Sequence, residues 1–364
     1  MNHKIIVLGG GMVGAAIARD LKKTGIMVTV ADKNVDIQAR LSPFDIKFIK
    51  LNFLDSHLLS ESIKNYDLVI GAVPGFMGYD VLKTILESKK NIVDISFMPE
   101  DSRNLIEVAK ENGVTAITDA GVAPGLSNLI FGKKYTEYNR LDTAKCYVGG
   151  LPQCPQHPWL YKTVFSPIDV IEEYIRPARI IQGGEKVTKP AMTDIESIEF
   201  NNIGILDAFN SDGLRSLLDL PVPNMVEKTL RYPGHIQKII EIRDQGLFEI
   251  DKIKKTAKSL IDDWIADEGD YDQTVMRLEF EGIKNEQKVS EIFNLLDYYD
   301  KKNSISSMAR TTGYTCNAVA DILLSNRFTQ KGIYNLESLG VDDKIVQNIL
   351  QYLAQRNVQF DKQL

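Results

Sequence analysis

The chain has 364 residues, which is long enough for two domains or for one large domain that carries an insertion. Apolar residues make up 44% of it and charged residues 25%, values typical of a globular protein, and this composition excludes disorder for the bulk of the chain. The formal net charge of −6 argues against a nucleic-acid or anionic-membrane partner, and no apolar run reaches the roughly 18 residues of a membrane span.

The N-terminus and the cysteines indicate the compartment. The apolar run Ile5–Leu8 is followed at once by three glycines and by no small-residue cleavage site, so it is interpreted as a strand rather than a signal peptide. Cys146, Cys154 and Cys316 are odd in number and have no C-x-x-C spacing, which fits neither a disulfide framework nor a structural zinc site. We therefore expect a reduced, cytoplasmic protein.

Short β-branched runs recur through the first 120 residues, with helical patterns between several of them. The first helical pattern has an apolar stripe at 3.6-residue spacing that includes Val13, Ile17 and Leu21. Alternation of strands and helices predicts βαβ units and a parallel sheet, because parallel strands need crossover connections. The predicted strands are Lys4–Leu8, Met27–Ala31, Lys47–Leu51, Asp67–Ala72, Asn91–Ser96 and Val114–Thr118.

The pattern changes after Gly125, where short strands alternate with long polar helices as far as about Ser307. This pattern predicts an α+β domain whose loops face the cofactor edge of the first domain. The tail from about Met308 to Leu364 is helical again, with apolar stripes that include Ile322 and Ile349. The predicted elements of the middle region are a helix at Leu126–Tyr135 and strands at Ala144–Val148, Ser197–Phe200 and Thr274–Phe280.

A glycine motif, G-x-G-x-x-G, follows the first predicted strand directly. In such a motif the first glycine permits a tight turn, the second lets the backbone approach a pyrophosphate, and the third lets the helix lie close to the strand. The N-terminus of that helix directs free N–H groups and a partial positive charge at the phosphates. The motif predicts a dinucleotide site formed by Gly9, Gly11, Met12, Val13 and Gly14.

The second predicted strand leads into Asp32, which bears on the choice of cofactor. A carboxylate at this position accepts the ribose hydroxyls of NAD and repels the 2′-phosphate of NADP, so NAD is the predicted cofactor. The adjoining Lys33 could instead bind a phosphate, which leaves NADP open. The alternative for the whole motif is a glycine turn in another doubly wound fold, with Asp32 merely capping a helix.

Ligands of such sheets bind outside the carboxyl ends of the strands, so the residues that follow each strand are further candidates. Turn chemistry alone would explain Pro74 and Gly75, and core packing explains Phe53 and Phe76 as well as stacking on a ring does. Asp119 either contacts cofactor or substrate or caps the next helix. The candidates for the cofactor are Lys33, Asn52, Phe53, Ala72, Val73, Pro74, Asp94, Ser96 and Gly121, and Phe76 is a candidate for the substrate.

A series of segments resembles the saccharopine dehydrogenase-like family in the right order over nearly the whole chain. The segments are Asp119–Asn128, Tyr147–Pro152, Tyr161–Pro167, Arg176–Arg179, Thr229–His235 and Met308–Tyr314. Within the family the chain is most similar to the short L-lysine 6-dehydrogenases, through Val69–Phe76, Asp94–Glu100 and Ser211–Ser216. It departs from the saccharopine-forming members at Val148, where they carry Cys, and at Ala123, where they favour Asp.

The resemblance implies an α/β fold in which a Rossmann domain, residues 1–123 and 308–364, carries an inserted α+β substrate and dimerisation domain, residues 124–307. The helical tail would then pack on the Rossmann sheet. The implied activity is NAD-dependent oxidation of the ε-amine of L-lysine to 2-aminoadipate 6-semialdehyde with release of ammonia. A homodimer is expected from the family alone.

This reaction sets requirements for the site. The cofactor takes the hydride, while the protein positions the amine and removes a proton from it. An amine with a pKa of about 10.4 needs a base or a site that lowers that value. The substrate carboxylate needs a cation, for which an arginine fork is best suited.

Several residues, most of them in the predicted second domain, meet these requirements, and each has a structural alternative. Arg231 is either the carboxylate partner or a structural ion pair, His235 a proton carrier or a helix cap, and Lys162 a base or a chain that extends to the surface. The candidates for catalysis are Lys162, His235 and Asp119, and those for the substrate are Arg231, Arg215, Asp212 and Phe76.

Other functions stay open at this point. They are a saccharopine or carboxynorspermidine-type imine reductase, a homospermidine synthase-like transferase that keeps its NAD, and a non-catalytic dinucleotide sensor. No metal is expected, since His3, His57, His157 and His235 have no i, i+4 partner of the metal-binding type. The predicted partner is a small amino-acid substrate, with neither nucleic acid nor membrane.

Overall fold

The structure is a computed structural model that describes residues 3–163, 167–249, 251–267 and 269–362. Residues 164–166, within the segment Tyr161–Pro167, lie outside the described residues. The chain divides into two compact units, called unit 1 (Met1–Lys133 and Ala309–Asn357) and unit 2 (Lys134–Met308 and Val358–Leu364). The predicted domain limits, 1–123 with 308–364 and 124–307, stay a prediction.

The strands, numbered in chain order, are β1 (Lys4–Leu8), β2 (Met27–Asp32), β3 (Lys47–Lys50), β4 (Leu68–Gly71), β5 (Ile92–Asp94), β6 (Thr115–Ile117), β7 (Arg140–Pro152), β8 (Ala178–Gln182), β9 (Glu185–Lys189), β10 (Glu196–Phe200), β11 (Gly204–Asn210), β12 (Asn224–Arg231), β13 (Asp272–Lys284), β14 (Gln287–Tyr298) and β15 (Gly332–Tyr334).

The helices are α1 (Met12–Lys23), α2 (Asp36–Leu41), α3 (Ser56–Ile63), α4 (Gly75–Glu87), α5 (Ile106–Glu111), α6 (Leu126–Glu137), α7 (Pro167–Ile175), α8 (His235–Asp244), α9 (Ile253–Trp264), α10 (Ser307–Leu324), α11 (Leu336–Gly340) and α12 (Asp343–Ala354). Short 3-10 helices lie at Ser42–Phe44, Ser102–Leu105 and Arg215–Asp219.

Unit 1 is built on a parallel sheet in the order β15-β6-β5-β4-β1-β2-β3. The predicted parallel sheet is confirmed, and each of its six predicted strands overlaps an observed one. The sequence direction reverses at β1, which lies between β2 and β4, and ligands of doubly wound sheets bind at such a point. The tail is helical as predicted, with α10, α11 and α12, and it also supplies β15, which pairs with β6.

Burial of apolar residues explains these elements. Residues Ile5–Leu8 of β1 are inaccessible, as expected for a strand with both faces covered. In the tail, Ile322 on α10 and Ile349 on α12 are buried, so both predicted stripes face the interior of the unit. Helices α6 and α11 approach each other so closely at Gly132 that a Cβ there would lie 2.1 Å from the carbonyl oxygen of Glu337. Only glycine fits at this position.

Unit 2 is built on a mixed sheet in the order β10-β11-β12-β7-β13-β14, with β8 pairing with β12 and β9. Strands β7 and β12 are parallel, and the other pairs along this path are antiparallel. The expectation of long polar helices is wrong for much of this region, since the sheet dominates it. The residues of β14 alternate between more and less exposed positions. The exposed positions of such strands carry polar residues, so the strands lack the continuous apolar run that predicts a buried strand.

Helices α7, α8 and α9 contribute to an aromatic-rich core of unit 2 that includes Tyr161, Tyr174 and Trp264. This core surrounds several of the predicted site residues. Along the described part of the chain, no helix has the length and apolar character needed to cross a membrane. Cys146 and Cys316 are buried, Cys154 is exposed, and all three are free thiols.

Candidate functional site

The turn between β1 and α1 is shaped by its glycines. Gly9 has φ +101°, and a Cβ on it would lie 2.2 Å from the carbonyl oxygen of Ala72. A Cβ on Gly14 would lie 1.9 Å from the carbonyl oxygen of Gly9. A Cβ on Gly11 would meet no atom within 4 Å. The first and third glycines are therefore required by the packing of the chain itself, whereas the second leaves open space beside the backbone.

The N-terminus of α1 has the features of an anion site. The helix begins at Met12, its N-cap Gly11 makes no side-chain capping hydrogen bond, and no acidic residue lies in the first turn. The first N–H groups of a helix lack partners within the helix and carry its partial positive charge. Met12, Val13 and Gly14 thus lie where a pyrophosphate would be bound.

Asp32 lies beside this turn. Its carboxylate accepts hydrogen bonds from the backbone N–H of Gly10 at 2.7 Å and from that of Asn34 at 2.9 Å. Each carboxylate oxygen can accept a further hydrogen bond, so both remain available to ribose hydroxyls. Lys33 is exposed, and Nη2 of Arg40 lies 3.5 Å from the carbonyl oxygen of Gly10. Arg40 is a second cation near the turn that no sequence pattern pointed to.

The residues after β3 and β4 divide into two groups. Phe53 and Val73 pack in the core of unit 1, which favours the core-packing alternative for Phe53. The Asn52 side chain accepts the N–H of Leu54 within a turn. Phe76 has 66% of its surface exposed, and core packing therefore does not explain it. Ala72 is half-buried and Pro74 is exposed just before α4.

Two buried carboxyl groups lie at the ends of β5 and β6. Asp94 is inaccessible and accepts two hydrogen bonds from Ser96, from its N–H at 2.8 Å and its hydroxyl at 3.3 Å. Its Oδ2 packs against Gly71, where a Cβ would lie 1.8 Å away. Asp119 is 6% exposed, has φ +55°, and receives a hydrogen bond of 3.4 Å from Asn335.

This environment changes the acidity of Asp94. Burial raises its pKa to about 7, the hydrogen bonds from Ser96 oppose the rise, and the charge of Asp119 adds to it. Burial, and then the charge of Asp94, raises the pKa of Cys316 on α10. A pair of buried acids with one pKa near 7 is able to hold or accept a proton at neutral pH. Gly121 lies beyond Asp119, and its N–H donates to the carbonyl oxygen of Pro124 at 3.1 Å.

Arg231 in unit 2 is almost completely buried, with 2% of its surface exposed. It donates to the Tyr174 hydroxyl at 2.9 Å, to the carbonyl oxygen of Leu230 at 2.9 Å and to Glu173 at 2.6 Å. Its guanidinium group also lies 4.5 Å from the centre of the Tyr161 ring. The structural ion pair considered above is therefore present, with the charge of Arg231 balanced inside unit 2.

His235 is inaccessible and bonded at both ring nitrogens, to the carbonyl oxygen of Trp159 at 2.7 Å and the Tyr174 hydroxyl at 2.9 Å. Burial, with the nearby charge of Arg231, lowers its pKa to about 3. The ring is therefore neutral, Nδ1–H donates to the carbonyl, and Nε2 accepts from Tyr174. The expected proton exchange of His235 near pH 7 is wrong, because the protein interior stabilises the neutral ring.

Three other candidates in unit 2 have identified surroundings. Lys162 donates to the carbonyl oxygen of Ile265 at 3.0 Å and forms ion pairs with Asp267 at 3.3 Å and Asp270 at 3.4 Å. These contacts place its amino group between two carboxylates and a carbonyl oxygen. Asp212 accepts two hydrogen bonds of 2.8 Å from the guanidinium of Arg179, so it already has a cationic partner. Arg215 has φ +49° and begins a 3-10 helix.

Sequence reasoning missed a set of unpartnered polar atoms in the aromatic core of unit 2. The Tyr161 hydroxyl, the Trp264 indole nitrogen and the Thr163 hydroxyl are buried without a hydrogen-bond partner among the described residues. The Tyr161 ring centre lies 5.2 Å from those of Trp264 and His235. Buried polar atoms are nearly always bonded, so this cluster is suited to a polar ligand group or an ordered water. In the sequence these aromatic residues could not be distinguished from ordinary core residues.

No group of three or more His, Cys, Asp or Glu residues within the described ranges is arranged to hold a metal ion.

Two family models match the chain. Residues 121–358 match the model described as saccharopine dehydrogenase C-terminal domain, and residues 5–117 match the model described as saccharopine dehydrogenase NADP binding domain. The saccharopine dehydrogenase (L-Glu forming) of Saccharomyces cerevisiae, solved in its apo form, has a TM-score of 0.81 to this chain at 18% identity, with 99% of both chains covered. The similarity to this structure shows a shared fold.

The chain aligns with only part of the length of its curated relatives. The NADP(+)-dependent, L-glutamate-forming saccharopine dehydrogenase of Pyricularia oryzae is 27% identical over 259 residues, which cover 66% of this chain and 57% of the relative. The mitochondrial alpha-aminoadipic semialdehyde synthase of Bos taurus is 24% identical over 265 residues, which cover 68% of this chain and 29% of the relative. The aligned parts thus span little more than half of one relative and under a third of the other.

The glycine geometry predicts opposite effects for two similar substitutions. Gly14→Ala forces a Cβ against the Gly9 carbonyl and should lower the free energy of unfolding by about 1–3 kcal/mol. Gly11→Ala meets open space and should cost about 1 kcal/mol or less, while placing a methyl group where a pyrophosphate would bind. Urea unfolding and titration with NADH or NADPH measure both effects. Wild-type dinucleotide affinity in Gly11→Ala would contradict this assignment.

The buried state of Asp94 predicts a pH-dependent stability difference between the wild type and Asp94→Asn. The raised pKa of Asp94 stabilises the wild type most below about pH 4, and this contribution is lost as the pH rises to about 7. The amide cannot titrate, so the variant should gain on the order of a few kcal/mol relative to the wild type between pH 4 and 7. Urea unfolding across this range tests it; parallel curves for the two proteins would disprove it.

Proposed function

Because the chain belongs to the saccharopine dehydrogenase family, we propose that it is a pyridine-nucleotide-dependent oxidoreductase that oxidises the ε-amine of L-lysine. Water is the co-substrate, because it hydrolyses the iminium left when the hydride departs, and the products are 2-aminoadipate 6-semialdehyde, ammonia, the reduced cofactor and one proton. The observation that carries the redox part is the open backbone at Gly11, next to the N-terminus of α1 and to Asp32.

NAD is the cofactor that Asp32 favours. Its carboxylate faces the glycine turn through the bond to Gly10 and would repel a 2′-phosphate. NADP is the second candidate, supported by the cations Lys33 and Arg40 and by the words NADP in the family model and in the name of the Pyricularia relative. Phosphates would lie on the N–H groups at the start of α1, and the adenosine ribose beside Asp32.

The choice of lysine depends on two apolar positions. Saccharopine-forming members resemble this chain but carry Cys where it has Val148 and favour Asp where it has Ala123. Both positions are half-buried here and lack a group that can bind or transfer a proton. Lysine has one amino-acid end, whereas saccharopine presents a second set of carboxylates. Lysine therefore needs fewer polar partners in the site, which fits the apolar residues at these two positions.

A bound nicotinamide would supply the acceptor for the hydride that leaves the ε-carbon of lysine. The remaining step for the protein is to take a proton as ammonium becomes amine, since hydride loss requires the free lone pair. Lys162 is ion-paired and His235 is a neutral ring bonded on both sides, which leaves Asp119 as the favoured base among the three candidates. Asp94 is a second buried acid at this edge of the sheet, and its pKa of about 7 lets it hold a proton at neutral pH.

The aromatic core of unit 2 is proposed to recognise the α-amino-acid end of the substrate, with Arg231 as a positioning residue whose charge is balanced by Glu173. Arg231 lies against the ring of Tyr161, whose hydroxyl is buried without a hydrogen-bond partner among the described residues. A carboxylate placed there would receive hydrogen bonds that the free protein does not use. His235 then acts as a positioning residue, because it holds the Tyr174 hydroxyl that in turn contacts Arg231.

A saccharopine-oxidising activity is the second candidate, because both curated relatives carry names from saccharopine and aminoadipic semialdehyde chemistry. A transferase that returns its hydride to the product is a third possibility from the same fold. These alternatives differ in a measurable way, since only a dehydrogenase accumulates reduced cofactor over many turnovers. The homodimer and the cytoplasmic location stay predictions.

The proposed function predicts steady-state formation of NADH from L-lysine alone. The purified protein is incubated with NAD⁺ or NADP⁺ and with L-lysine, ornithine, saccharopine or a polyamine, and reduced cofactor and ammonia are measured. We expect equal amounts of NADH and ammonia with lysine, and a smaller rate with NADP⁺. Turnover with saccharopine but not lysine would overturn the assignment of substrate, whereas no turnover with any amine would favour a sensor.

Tyr161→Phe separates substrate binding from packing in unit 2. The variant keeps the ring that stacks on Arg231 and removes a hydroxyl that has no partner, so the free energy of unfolding should be unchanged or higher. If that hydroxyl binds substrate, KM for lysine should rise about tenfold while cofactor affinity stays the same. The exposed Tyr298→Phe, on β14, is the matched control. A wild-type KM for lysine in Tyr161→Phe would show that this hydroxyl does not bind the substrate.

A further inference from the structure

A buried carboxylate on α1, distant from the glycine turn along the helix, joins three helical segments of unit 1. Asp20 is 6% exposed and accepts hydrogen bonds from Asn317 Nδ2 at 2.9 Å, the Tyr352 hydroxyl at 2.8 Å and Arg356 Nε at 2.7 Å. Asn317 belongs to α10 and Tyr352 to α12, and Arg356 lies two residues beyond the end of α12. These four residues are called the Asp20 cluster.

The donors of the Asp20 cluster are themselves held in place. The guanidinium of Arg356 lies 3.5 Å from the centre of the Tyr352 ring and donates to the Tyr352 carbonyl at 3.0 Å. Asn317 also donates to the carbonyl of Ile17 on α1 at 3.1 Å. Burial, and then the Asp20 charge, raises the pKa of Tyr352, so its phenol keeps the proton that it donates. Removing one partner would leave charge buried without compensation, which is costly.

Helix α10 also lies directly against α1. A Cβ on Gly313 would lie 3.0 Å from a side-chain carbon of Ile17 and 3.7 Å from one of Val13. The N-terminal half of α1 is fixed by the contact of Gly14 with Gly9, and its C-terminal half by the Asp20 cluster. At 1.5 Å per residue, Asp20 lies about 12 Å along the axis from Met12. A tilt of the helix at Asp20 therefore changes the direction of the N–H groups at its other end.

We propose that the Asp20 cluster positions the cofactor. Through this cluster α10 and α12 fix the orientation of α1, so that the N–H groups at its N-terminus point at the pyrophosphate. This inference rests on the proposed dinucleotide site. Asp20, Tyr352 and Arg356 act through α1 and do not touch the cofactor. Their contribution should therefore appear in the binding of phosphates, and not in the binding of the adenosine ribose beside Asp32.

Arg356→Gln tests this proposal, because glutamine can still donate a hydrogen bond but carries no charge. The dissociation constants of NADH, ADP and adenosine are measured by calorimetry, with circular dichroism to confirm that each variant is folded at the assay temperature. We expect the constants for NADH and ADP to rise about tenfold and that for adenosine to change less than twofold. Tyr352→Phe keeps the ring and removes one donor, so it should show a smaller change of the same kind.

Lys22→Ala is the matched control, since Lys22 lies on the same helix and its side chain forms an exposed ion pair with Asp45 at 2.8 Å. Its nucleotide affinities should equal those of the wild type. If Arg356→Gln and Tyr352→Phe lose stability but bind ADP as the wild type does, the cluster is only structural and the inference fails. An equal loss for ADP and adenosine overturns it as well. If the wild type itself binds no NADH or ADP, the proposed function fails too.

Discussion

The close approach of α1 to β1 is the constraint on which the rest of unit 1 depends. A helix can lie this near a strand only where neither backbone carries a side chain, and the contact of Gly14 with the Gly9 carbonyl meets that condition. The approach brings the positive end of α1 to the carboxyl edge of the sheet and places Gly10 within reach of Asp32. The tail completes the arrangement, since α10 packs on the same helix and the Asp20 cluster holds its far end.

Burial shifts the pKa values of two inaccessible residues in opposite directions. Asp94 and His235 are both inaccessible, yet burial raises the pKa of the acid and lowers that of the base, because in each case it favours the neutral form. At neutral pH the acid is therefore close to its titration range, and the histidine is far from it. This difference is the physical reason to look for proton transfer at the ends of β5 and β6 rather than at His235.

The parallel sheet and the glycine turn were predictable, because both are local: a strand buried on two faces is a continuous apolar run, and the turn needs glycine at fixed positions. Strand β15 was missed since three residues give too short a pattern, and most strands of unit 2 since their exposed positions carry polar residues. The surroundings of Arg231 and His235 could not be predicted at all. Their partners Glu173, Tyr174 and Trp159 lie more than 50 positions away in the sequence and meet them only through the fold.

A crystal structure of the protein with bound NAD⁺ would show directly whether the turn between β1 and α1 is the dinucleotide site. We expect the pyrophosphate over the backbone at Gly11, within hydrogen-bond distance of the N–H groups of Met12 and Val13, and the adenosine ribose hydroxyls on the carboxylate of Asp32. A dinucleotide bound elsewhere, or a pyrophosphate with no contact to the start of α1, would contradict this expectation.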